Sequence, residues 1–144
     1  RIVIAGASWG STGTGAVSGM NACVKVLSSS GDLVWTKQFG TLQDDEIHAV
    51  AVRDDGRIVV AGTTWGSLGG PNAGDIDGFV GVLSASGKLE ATGQFGTRDW
   101  DEVHSVAVDI HGRIVVAATT YGSLGGLYAG GGDAFVHRLT ALEP

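Results

Sequence analysis

The sequence predicts an all-β fold: a segment of β-propeller whose blades are four antiparallel strands each. Three observations lead there. RIVIAG, RIVVAG and RIVVAA begin at positions 1, 57 and 113, so the chain repeats every 56 residues without slippage. A period of that length belongs to solenoids and propellers. Each full copy holds four short runs rich in Val, Ala, Ile and Thr, and none has helical periodicity. Glycine-bearing turns stand at matching places between them.

The central copy, 57–112, shows the elements in order. Ile58–Thr63 is a continuous apolar and β-branched run. The segment Thr64 to Asp77 follows, with Gly66, Gly69, Gly70 and Gly74. A connection this long without regular structure is uncommon and often functional. Phe79–Leu83 is the second strand and Leu89–Phe95 the third, joined by Ser86-Gly87-Lys88. Val103–Val108 is the fourth, and Ile110-His111-Gly112 turns it into the next copy. Gly at the end of such a turn supplies the positive φ that a short hairpin with a bulge requires.

Blades stack face to face, which explains near-continuous apolar runs where a one-sided sheet would alternate. Ala49-Val50-Ala51-Val52 and Ser105-Val106-Ala107-Val108 are small and β-branched, which suits the strand nearest the axis. With that strand innermost, copies 1–56, 57–112 and the partial 113–144 give ten strands, about two and a half blades. Propellers close with roughly four to eight. The expectation is therefore a piece of a larger propeller, or one completed by other chains. A β-solenoid is the alternative fold, but its coils usually repeat at about half this length or less.

Bulk properties narrow the class. A net charge of −6 argues against nucleic-acid binding, which needs a basic patch. The apolar runs are far too short to cross a bilayer, so no membrane insertion is expected. The single Cys23 aligns with Phe79 and Phe135, the signature of a small buried apolar residue. The chain opens directly on a strand with no initiating Met, as when a leader or preceding sequence has been removed.

Several motifs together resemble a known family. Trp35-Thr-Lys-Gln-Phe-Gly-Thr41, then Asp44-Asp45, then V-A-V, then D-x-x-G-R-I-V-V-A-x-T-T-x-G-S-L-G-G, then Gly131–Val136 look like the bacterial β-propeller repeats often called SBBP. The resemblance covers the whole chain, with QFGT, TTxGSLGG and GDAFV in the family's order. It implies a propeller in a secreted or surface-exposed bacterial protein, often long and many-moduled, with no common catalytic activity. The first copy departs from the pattern: Asn21 stands where Asp77 and Asp133 stand in the others.

Three sets of residues are candidates for chemistry. Asp45-Glu46-Ile47-His48 matches Asp101-Glu102-Val103-His104 at the entrance to the innermost strand. Carboxylates and imidazole there could ring the channel mouth and hold a transition metal. Equally, the Asp could bond turn amides and the His lie on a wet rim, since no zinc-type spacing is present. Asp75-Ile76-Asp77-Gly78, with Asp133 in the third copy, could open a calcium loop, though the further acids of a full loop are missing. The alternative is that Asp77 and Asp133 cap the turn entering their strand by accepting backbone N–H groups. Trp9, Trp65 and Tyr121 occupy one equivalent position, each followed by Gly-Ser. They could form sugar-stacking sites, or pack between blades beneath the Gly loop. Trp35 and Trp100 do not repeat and read as peripheral, possible partner contacts. Gly10-Ser11-Thr12-Gly13-Thr14-Gly15 lacks the Lys and helix of a phosphate loop, and no Ser sits in a nucleophile elbow.

What recurs between copies is what builds blades. The expected function is thus a non-catalytic structural or interaction module of a secreted or cell-surface protein, its partners being other proteins or further blades. A glycan-binding propeller and a scaffold subunit of a surface assembly are the alternatives. No cofactor is required by any motif; calcium is the one candidate.

Overall fold

The computed structural model describes residues 1–11, 19–139 and 142. Of the Gly-rich stretch 10–15, positions 12–15 lie outside the described residues. The described residues contain ten strands and no helix. In chain order these are β1 (Ile2–Trp9), β2 (Met20–Leu27), β3 (Leu33–Phe39), β4 (Asp45–Val52), β5 (Ile58–Thr64), β6 (Asp77–Leu83), β7 (Leu89–Phe95), β8 (Asp101–Val108), β9 (Ile114–Thr120) and β10 (Asp133–Leu139). They form three antiparallel sheets, β1-β2-β3, β4-β5-β6-β7 and β10-β9-β8. Each sheet is a meander of chain neighbours, as the short turns dictate.

The turns act as the sequence leads one to expect. Gly56 (φ 84°) and Gly112 (φ 76°) close the β4–β5 and β8–β9 hairpins, donating to Arg53 O at 2.9 Å and Asp109 O at 2.9 Å. A side chain at either position would be strained in that left-handed conformation.

Alternation of side chains across a strand assigns each residue to a face. In the central sheet both faces are buried, and every residue of β5 and β6 is inaccessible to solvent. Ile58, Val60, Phe79 and Leu83 face the first sheet, where they meet Ala22, Val24, Val26 and Phe39. Val59, Ala61, Val80 and Val82 face the third, where they meet Val103, Ile114, Val116 and Ala118. Edge-to-face ring pairs tie each junction: Phe39 with Phe79 at 6.3 Å, and Phe95 with Phe135 at 6.0 Å. The first and third sheets bury mainly one face, so β1 and β10 alternate. Continuous burial was expected of every blade; it runs the length of β5 and β6, extends over residues 21–24 of β2, and gives way to alternation in β1 and β10.

The strand of small residues does lie where sheets converge. β4 contacts β8, and each also contacts strands of the preceding sheet. Bulges fall in both, between Ile47 and Ala49 and between Val103 and Ser105, leaving His48 and His104 outside the regular ladder.

Candidate functional site

At one end of the sheets, two kinds of connection meet. One is the loop between the first and second strands of each copy, such as 65–76 between β5 and β6. The other is the short link between sheets that carries Gly-Thr, at 40–44 and 96–100. The repeated Gln-Phe-Gly-Thr sequence fastens them together. Gln94 accepts from Leu68 N at 2.8 Å and Gly69 N at 3.1 Å, and donates to Gly66 O at 2.9 Å and Asp77 Oδ2 at 2.7 Å. All four hydrogen-bonding positions of one amide are thus used to pin a long loop to β7. Gln38, fully buried, donates to Gly10 O at 2.8 Å in the same way. These glutamines were not among the expected site residues; the recurrence of QFGT was the signal that could have found them.

The Thr of that sequence holds the Asp that begins the next sheet. Thr41 donates through N and Oγ1 to Asp45 Oδ2 at 2.5 and 3.1 Å. Thr97 does the same to Asp101 Oδ2 at 2.5 and 2.9 Å. The Gly of Gly-Ser after Trp65 and after Tyr121 is required by space. A Cβ on Gly66 would lie 2.2 Å from Thr41 Oγ1, and one on Gly122 2.3 Å from Thr97 Oγ1.

Asp45 and Asp101 are both wholly buried, yet differ in one respect. The second oxygen of Asp45 receives the Thr64 hydroxyl at 2.5 Å. The equivalent Thr120 hydroxyl donates to Gly122 O at 3.3 Å, and Asp101 Oδ1 has no hydrogen-bond partner. Burial pushes the Asp45 carboxyl above its ordinary 3.8, and the hydrogen bonds from Thr64 and Thr41 only partly oppose it.

The expected metal-binding groups do not assemble as sequence neighbours. Asp101 points into the protein, whereas Glu102 is half-buried and His104 exposed. His104 Nε2 pairs with Thr119 Oγ1 at 2.9 Å; His48 Nε2 lies 3.2 Å from Thr63 Oγ1 and 3.5 Å from Glu46 Oε2. Asp75 is exposed while Asp77 is buried, so the two do not converge. Asp77 and Asp133 cap their loops, accepting from Ala73 N at 2.8 Å and Ala129 N at 2.6 Å. Among the described residues no three His, Cys, Asp or Glu side chains are placed to hold one ion. What the structure does bring together is one residue from each expected group. Asp77 and Asp101 flank Gly96, where an added Cβ would lie 2.1 Å from Asp77 Oδ1 and 3.2 Å from Asp101 Oδ2. Asn21 and Asp45 flank Gly40 in the same manner.

Trp9, Trp65 and Tyr121 are 69%, 38% and 41% exposed. Trp100, half exposed, meets Tyr121 edge-on at 6.3 Å. Trp35 differs from its expected peripheral place. It packs against the core between the first two sheets, over Gly87, and its Nε1–H donates to Ala85 O at 3.2 Å. Ala91 at the equivalent place in the second copy is what made it read as peripheral. Cys23 is buried on β2, as expected.

The opposite, hairpin end of the sheets carries an open polar cleft of about 430 Å³ between the turns at 52–55 and 108–112. Of its carboxylates, Asp55 lies 3.6 Å from Arg53 and Asp109 2.5 Å from Arg113. No protein-family model matches the chain, and no curated protein matches it significantly.

Proposed function

We propose that these sheets are blades of a β-propeller serving as a non-catalytic structural or interaction module in a secreted or cell-surface bacterial protein. One observation carries the reading. The central sheet is buried on both faces by its neighbours, and the small-residue strands β4 and β8 meet along one edge. Stacked meanders that approach along one edge are the geometry of blades about an axis. The resemblance to SBBP repeats supplies the compartment. The hydrogen bonds of Gln94, Thr97 and Thr41 support a structural role for the loop end, since each is spent on backbone or on a capping carboxylate. Ile2, Ile4 and Val136 remain exposed on the outer sheets, and further blades, from this chain or from partners, would cover them. Electron microscopy of the purified full-length protein tests the architecture: a closed ring of blades is expected, and an open stack of sheets would overturn it. Catalytic turnover abolished by His104→Ala would overturn the non-catalytic part.

Glycan binding is the second reading, favoured by the solvent-facing aromatics. Trp65 and Tyr121 keep a large part of their rings accessible, and Trp100 adds a second ring beside Tyr121. A glycan-array signal lost on Trp65→Ala or Tyr121→Ala, in a protein that still folds, would support it; a signal unchanged in both would remove it.

A further inference from the structure

We infer that Asp77 and Asp101 form a binding site for a hard divalent cation of calcium type at the junction of the second and third sheets. The site does not depend on how many blades the protein has. Both residues are wholly buried. Each is anchored by one carboxylate oxygen and leaves the other unused. Asp77 Oδ2 takes Ala73 N and the Gln94 amide, while Asp101 Oδ2 takes Thr97 N and its hydroxyl. Asp77 Oδ1 and Asp101 Oδ1 are buried and have no hydrogen-bond partner. Neither carboxylate is in an ion pair with a Lys, Arg or His among the described residues.

Two anchored carboxylates, each with a free oxygen, around a residue without a side chain make a cradle for a cation. Buried charges are paired or coordinate metals, and a buried acceptor left unpaired is destabilising. Calcium accepts oxygen ligands in flexible numbers, with water completing the shell. Asp77 and Asp101 offer only oxygen, which does not favour a softer transition metal. Gly96 lies between the carboxylates: an added Cβ there would fall 2.1 Å from the free Asp77 Oδ1 and 3.2 Å from the anchored Asp101 Oδ2, so only Gly leaves that space to a ligand. The first junction is the internal control. There Asn21 replaces Asp77, and Asp45 has both oxygens satisfied, so no cation is called for.

The test is to strip the full-length protein of metal, titrate calcium and follow Tm. The wild type should rise by roughly 5 °C or more at saturation, and Asp77→Asn, which copies the first junction, should lose that rise. Terbium gives a second readout, because Trp100 adjoins Asp101 and would sensitise its emission. Trp100→Phe should cut that emission while keeping the calcium-induced shift. If Asp77→Asn fails to fold, Asp101→Asn takes its place. A wild-type Tm indifferent to calcium would overturn the site, whatever Asp77→Asn does. An equal calcium shift in wild type and variant would also overturn it, placing the ion elsewhere.

Discussion

The two junctions between sheets are built from the same repeat and differ in a few atoms. In the first, Asn21 faces Asp45 across Gly40, the Thr64 hydroxyl closes the last oxygen of Asp45, and Asp44 Oδ1 takes Met20 N at 3.0 Å. In the second, Asp77 faces Asp101 across Gly96, two oxygens go unpaired, and Trp100 replaces Asp44. There the backbone makes the tie instead, Asp101 N donating to Ile76 O at 2.9 Å. The scaffold bonds of Gln and Thr are common to both. A repeat can thus keep its frame while the chemistry between sheets changes from one carboxyl with both oxygens satisfied to two with an oxygen free on each. One residue, Asn21 against Asp77, carries most of that difference.

The largest test of this comparison is in the core. Phe39 is nearly inaccessible at the first junction, whereas Phe95 at the second is only half-buried. Phe39→Ala should cost about 3–5 kcal/mol, and Phe95→Ala clearly less, by urea denaturation. Equal losses would mean that the junctions pack alike. Next come the glycines. Gly40→Ala and Gly96→Ala each press a methyl group on carboxylates and should each cost about 1–3 kcal/mol. Gly96→Ala should be the worse, its Cβ being 2.1 Å from Asp77 Oδ1 against 2.6 Å from Asp45 Oδ2 for Gly40. Thr64→Val then removes a hydroxyl from a buried carboxylate, for a loss of about 1–3 kcal/mol. Thr120→Val, whose hydroxyl reaches only Gly122 O, should lose less. A larger loss at Thr120 would reverse the assignment of open and closed junctions.

The smallest effect is on pH dependence. The folded-state carboxyl of Asp45 is raised above 3.8, so the folded protein binds more protons than the unfolded in the window starting there. Stability from this group is therefore greatest below 3.8 and declines as pH rises through the window. Asp109 has the opposite sign. Desolvation is the largest single influence and pushes it up, but the Arg113 N–H, the Arg113 guanidinium and the His111 N–H together outweigh it and hold it at about 2. Its contribution is present above 3.8 and fades as pH falls toward about 2. Asp45→Asn and Asp109→Asn should bend the Tm–pH curve in opposite senses over acid pH.

Much of the fold was legible. The buried runs in β5 and β6 and the glycines at 56 and 112 state their structure locally, through face alternation and turn geometry. The site was less so. Asp77 was read with Asp75, and Asp101 with Glu102 and His104, because proximity in sequence is all a strand motif displays. Asp75 lies before β6 begins and His104 falls at the β8 bulge, so both are exposed, whereas Asp77 and Asp101 open their strands buried. Their meeting depends on how a loop and the link between sheets fold over each other. Gln94 was printed twice in the repeat pattern, yet its four partners are backbone groups and a carboxylate that no residue pattern names. Trp35 had no repeat partner to reveal its place.

The position of the tryptophans has an optical consequence. Trp35 lies at the seam of the first two sheets with its indole N–H bonded to Ala85 O, and Trp100 lies at the seam of the next two against Tyr121. Each seam therefore carries its own fluorophore, one largely shielded and one half in water. With Trp9 and Trp65 changed to Phe, blue and red components of the emission would report separately on the two seams. Unfolding of a repeat array, ordinarily watched as a single signal, could then be followed one interface at a time.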